Sequence, residues 1–148
     1  RGVPVASLAN IETPWPTDSA ASLGYRFRGY RFDKQRRPVF RYDTTLIEVS
    51  DEMKPATIRK GPGFERTLTI VQKDQNENAP KLWYRAAEGS SIKQIDGEWF
   101  QIDERFFIQL QSDGQPGPIV RPIGNRQELV IGVDLLDGKT KIVQRYAW

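Results

Sequence analysis

The sequence predicts an all-β fold, an antiparallel β-sandwich, from three observations. Short runs in which apolar and polar side chains alternate recur along most of the chain, at the roughly 8–12 residue spacing of sandwiches and barrels. Clusters built on Asp-Gly and Gly-Pro punctuate these runs where the backbone must reverse. No helical periodicity intervenes to cover a parallel sheet. A closed or partly open β-barrel is the alternative, because alternation alone does not say whether sheet edges meet.

Residues 1–23 are expected to form an irregular lead-in to a sandwich domain spanning 24–148. Within the lead-in, Thr13-Pro-Trp-Pro-Thr17 holds two prolines, which remove two donors and fix two φ angles. Trp15 is expected to plug this segment onto the body. The strands then run over 24–32, 38–43, 45–50, 64–72, 81–87, 91–95, 98–103, 106–111, 118–123, 128–135 and 139–146. The first two alternate aromatic and arginine residues, in Gly24-Tyr-Arg-Phe-Arg-Gly-Tyr-Arg-Phe-Asp33 and Arg37-Pro-Val-Phe-Arg-Tyr-Asp43. The polar stretch 33–38 between them has the length of a hairpin loop.

A short helical turn is expected around Ser50-Asp-Glu-Met53, with loops at 61–63, 74–78 and 114–118. Asp96-Gly97 and Asp137-Gly138 suit type I′ turns, so each predicts a hairpin between its flanking strands. Inward members of the alternating runs give a predicted core of Phe27, Phe40, Leu68, Ile70, Leu82, Phe107, Ile131, Val133 and Ile142.

Composition excludes more than it selects. The 148 residues contain no cysteine, which removes disulfides, thiolate metal sites and covalent haem attachment. The absence of histidine removes the commonest general base and transition-metal ligand, and with it Ser-His-Asp chemistry. Oxygen ligands for calcium are conceivable at Asp74-Gln-Asn-Glu-Asn78, but it lacks the glycine and terminal bidentate acid of a known loop pattern, and no metal or cofactor is expected. The 22 basic and 19 acidic residues leave a net charge of +3, too little to drive nucleic-acid binding by counterion release. No apolar run approaches the ~18 residues of a membrane helix. A chain that opens on Arg1 rather than Met is expected to be a processed or excised piece.

The arginine-aromatic hairpin is the main candidate for binding. Arg26, Arg28, Arg31 and Arg41 with Tyr30 and Tyr42 could form a face for anions or sugars, since guanidinium forks bind carboxylates and rings stack on sugars. The same pattern is also ordinary cross-strand packing, with the arginines pairing to Asp33, Asp43 or Glu48. Trp83, Trp99 and Trp148 could offer a carbohydrate platform, although tryptophan more often packs in cores. Trp83 and Arg85 join the candidate set on that basis. Asp96, Glu98, Asp103 and Glu104 supply carboxylates for glycoside hydrolysis, but no spacing singles out a pair.

The stretches 24–33 and 37–42, together with Glu65-Arg-Thr-Leu-Thr69 and Arg145-Tyr-Ala-Trp148, resemble an uncharacterised β-rich module of large secreted planctomycete and verrucomicrobial proteins. There it accompanies sorbosone-dehydrogenase-like β-propellers and c-type cytochrome domains. The resemblance runs from about residue 24 to the end and carries over no catalytic residue. It implies a periplasmic or extracellular setting and a larger redox protein or cytochrome subunit as partner. The chain lacks the Cys-x-x-Cys-His haem site of the full proteins.

The resulting expectation is a non-catalytic accessory module that docks onto such an assembly, through Arg26, Arg28, Tyr30, Arg41, Trp83 and Arg85. The alternative is a carbohydrate-binding module attached to a degradative enzyme. Exposed coplanar rings would favour a sugar, and an apolar patch rimmed by arginines would favour a protein.

Overall fold

The computed structural model describes residues 3–76, 78, 81–114 and 117–148. The undescribed positions 77, 115 and 116 fall within the expected loops at 74–78 and 114–118, so those loops lie partly outside the described residues. The chain forms β1 (Val5–Ser7), β2 (Arg26–Phe32), β3 (Pro38–Asp43), β4 (Ile47–Ile58), β5 (Gly61–Gln72) and β6 (Leu82–Gly89). It continues with β7 (Ile92–Asp96), β8 (Trp99–Ile102), β9 (Phe106–Ser112), β10 (Ile119–Ile123), β11 (Arg126–Val133) and β12 (Lys139–Ala147).

These strands make two antiparallel sheets. The larger has the order β2-β3-β4-β5-β12-β9-β8-β7, and the smaller β1-β6-β11-β10. The ends of the larger sheet do not pair, so the fold is a sandwich and not a closed barrel. No helix among the described residues is long and apolar enough to cross a membrane.

The core lies between the sheets. Val49, Leu68, Ile70, Ile108, Leu110 and Ile142 from the larger sheet meet Leu82, Tyr84, Leu129, Ile131 and Val133 from the smaller. Each fully buried aliphatic side chain contributes about 1.5–3 kcal/mol relative to exposure. One polar network crosses this interior: the Tyr84 hydroxyl donates to Gln144 Oε1, and Gln144 Nε2 donates to the Ala86 carbonyl at 3.1 Å. Beside it Arg66 binds Asp51 through two hydrogen bonds of 2.9 and 2.6 Å. Burial opposes the charge on Arg66, but the Asp51 carboxylate outweighs it and holds the guanidinium pKa above its ordinary value.

The lead-in is more ordered than its composition implies. β1 pairs with β6, and Trp15 is buried with its Nε1 donating to the Val3 carbonyl at 3.0 Å, as the expected plug. Val3, Ala6, Leu8 and Trp15 pack with Val130 and Trp83 over the outer face of the smaller sheet. A buried ion pair lies in this region. Arg121 donates to Glu128 at 2.8 and 2.6 Å, and its Nη1 reaches the carbonyls of Ile11 and Thr13, each at 2.7 Å.

Three expectations about turns and elements need correction. Asp137 and Gly138 do take the left-handed φ of a type I′ turn (51° and 75°), but β11 and β12 lie in different sheets, so this turn crosses between layers. The Asp96-Gly97 turn does join a hairpin, β7 to β8. Residues 50–53 are the middle of the twelve-residue strand β4, not a helical turn. Residues 61–63 open β5 instead of forming a loop; the reversal is made by Arg59 and Lys60, both at positive φ. Gly63 is required by proximity, since a Cβ there would meet the Tyr146 carbonyl at 2.3 Å.

Of the predicted core, Leu68, Ile70, Leu82, Ile131, Val133 and Ile142 are buried, whereas Phe27 and Phe40 are exposed. Phe107 is half-buried on the outer face, where the Arg59 guanidinium lies 5.0 Å from its ring centre and 5.3 Å from that of Trp99. On β9 the inward residues are Ile108 and Leu110.

Candidate docking surface

Strand β2 lies at the edge of the larger sheet, and the four-stranded layer does not reach it. Six of its seven residues are exposed, and Gly29 is intermediate. Its pairing with β3 is irregular: Phe27 lies opposite Tyr42, but Tyr30 lies opposite Phe40. One extra residue on β2 is thus accommodated as a bulge, at Gly29, whose φ is 92°. No atom of the described residues lies within 4 Å of where its Cβ would be, so the glycine serves the dihedral and not a tight space.

The bulge decides which side chains share a face. Strict alternation places Phe27 and Tyr30 on opposite sides. With the extra residue, Phe27, Tyr30, Phe32 and Phe40 all lie on the side that faces the core further along the sheet. Their ring centroids are 6.4 Å apart for Phe27–Phe40, 6.1 Å for Tyr30–Phe40 and 5.5 Å for Tyr30–Phe32. The four rings are 42–66% exposed. Register continues this face across Pro38 and Met53, and then to Phe64 and the exposed Trp148, whose rings meet edge-on at 5.7 Å.

The arginines occupy the other face. Arg28 Nε lies 3.0 Å from Asp43 Oδ2, which also receives Lys73 Nζ at 2.8 Å. The Lys73 hydrogen bond, then that of Arg28, holds the Asp43 carboxyl below its ordinary range. Arg26, Arg31 and Arg41 are exposed and have no ion-pair partner among the described residues. Further along, the same face is neutralised: Glu65 takes Lys54 and Arg145, each at 2.9 Å.

The six candidate residues therefore fall in three places. Arg26, Arg28 and Arg41 share the outer face of the β2–β3 hairpin, with Arg28 committed to Asp43. Tyr30 lies on the opposite, aromatic face. Trp83 and Arg85 belong to the other sheet, where Trp83 is packed by the lead-in and Arg85 binds Glu128 at 2.8 Å, 5.0 Å from the ring centre of Trp15. Phe27, Phe32, Phe40 and Met53 complete the surface without having been singled out for it. The signal for them is Gly29, because a glycine inside a strand marks a bulge.

Three of the acids at 96–104 are engaged by neighbouring side chains or backbone. Asp103 Oδ1 accepts from the Ser91 amide at 2.8 Å, Glu98 accepts from Gln111 at 2.6 Å, and Glu104 lies 3.7 Å from Lys93. Comparison of the chain with protein-family models, curated proteins and solved structures finds no match.

Proposed function

We propose that the chain is a non-catalytic docking module that binds a partner protein through the uncovered aromatic face of β2, β3 and β4. The observation that carries this reading is a contiguous set of large, exposed apolar side chains on a sheet face that the smaller sheet leaves open. Patches of this kind mark association sites, because exposing them to water costs free energy that a partner recovers. The resemblance of the hairpin segments to a secreted module suggests a larger periplasmic or extracellular redox protein as that partner.

Ring geometry favours a protein over a sugar. The interplanar angles along the patch are 41°, 55° and 80°, and 77° for Phe64–Trp148, so these contacting rings form no flat platform for a pyranose. Trp83 and Trp99 are partly buried against neighbouring structure.

The test is co-purification from native extract with the chain and with a Phe27→Ser/Tyr30→Ser variant. The reading expects a partner identified by mass spectrometry with the native chain and lost with the variant, at unchanged thermal stability. Equal recovery with both forms contradicts it.

A further inference from the structure

Beyond its aromatic face, β2 carries a free edge. The Asp33 amide donates to the Arg37 carbonyl at 2.9 Å, and the register continues through Arg31 opposite Val39. Hydrogen-bonded and non-bonded pairs alternate along an antiparallel ladder. The backbone N–H and C=O groups of Tyr30 and Phe32 therefore point away from β3, at a sheet edge with no neighbouring strand among the described residues.

We infer that this edge receives an extended segment of the partner as an added strand, one that alternates apolar and acidic residues. This rests on the docking reading above and specifies the form and chemistry of what docks. Main-chain hydrogen bonds to Tyr30 and Phe32 would supply the pairing, and the two faces would read alternate side chains. On one face an incoming side chain meets Phe27, Tyr30 and Phe32. On the other it meets Arg26 and Arg31, which have no carboxylate partner of their own among the described residues. Apolar residues suit the first face and carboxylates the second.

Charge argues against a second copy as occupant. Two β2 strands paired edge to edge would set arginines against arginines, and like charges across a ladder are destabilising. The Gly29 bulge also breaks a long regular edge, a recognised barrier to self-pairing. Both features leave a short acidic-apolar strand as the better fit.

The probe is a short, end-blocked peptide alternating valine and glutamate, titrated into the isotope-labelled chain and followed by nuclear magnetic resonance. Two controls accompany it: the same peptide N-methylated along one edge, and a valine-lysine peptide. Strand addition expects the valine-glutamate peptide to shift the rings of Phe27, Tyr30 and Phe32 and to slow amide exchange at Tyr30 and Phe32 about tenfold. Neither control should do so. Ring shifts without amide protection, or equal binding by the N-methylated peptide, overturn strand addition while leaving the docking face intact. Equal protection by the valine-lysine peptide overturns the acidic assignment. No change at rings or amides overturns the inference outright, and the co-purification experiment then judges the docking reading independently.

Discussion

Phe27 and Phe40 lie with ring centroids 6.4 Å apart on the same face of the larger sheet, although Phe27 pairs with Tyr42 and Phe40 with Tyr30. Phe40 shares the face of Tyr42, two residues along β3, and the extra residue at Gly29 brings Tyr30 and Phe32 to that same face by returning β2 to its former facing after an odd step. Aromatic and arginine side chains are thereby sorted to opposite sides of one hairpin, and the aromatic side is left uncovered.

Truncation should separate core from surface. Leu68→Ala or Ile142→Ala, both at fully buried positions, is expected to cost about 2–5 kcal/mol in denaturant unfolding. Phe27→Ala, on the uncovered face, is expected to cost under about 1 kcal/mol. Equal losses at Phe27 and Leu68 would mean that the patch is covered in solution.

The lead-in should depend on Arg121. This side chain bridges Glu128 and the carbonyls of Ile11 and Thr13 beneath the segment. Glu128→Ala leaves two arginines, Arg85 and Arg121, without their shared buried carboxylate, and is expected to cost about 3–5 kcal/mol. Arg121→Met should cost less but speed proteolysis within residues 8–23. Unchanged cleavage in that variant would show that Trp15 and β1 hold the segment without it.

Acid should destabilise the fold through specific carboxylates. Hydrogen bonding from Lys73, then Arg28, holds Asp43 below its ordinary 3.8, and Lys54, then Arg145, holds Glu65 below 4.5. Because the folded values are depressed, the unfolded chain takes up these protons first. The stability they contribute is complete above the ordinary values and is lost as pH falls through the depressed ones. The thermal midpoint should be nearly flat from about pH 7 to 5 and fall below about pH 4. Lys73→Met should lower the midpoint at neutral pH and have little effect in strong acid; the same loss at both pH values would contradict the assignment.

Much of this architecture was legible in the residues because period-2 alternation and turn chemistry are local. The strands at 38–43, 106–112 and 139–147 lie close to where alternation puts them. Sheet membership is not local: Asp137 and Gly138 adopt hairpin dihedrals, yet their flanking strands part to different layers. Layer width is not local either. Phe40 faces the side of the sheet that is core at Val49 and Ile70, but the four-stranded layer ends before reaching it. The polar centre of β4 reads as a break in strand pattern because Asp51 stands on the core-side face, while Glu52 lies on the outer face opposite Val39. There Asp51 is held by Arg66 and not by apolar neighbours.

The most direct measurement is amide exchange on the native complex, comparing free and partner-bound chain residue by residue. The account predicts that protection on binding is concentrated in residues 26–40 and the adjoining part of β4 near Met53, and is absent from the outer face of β6 and β11. Protection centred on β6 and β11, with residues 26–40 exchanging as in the free chain, would contradict it.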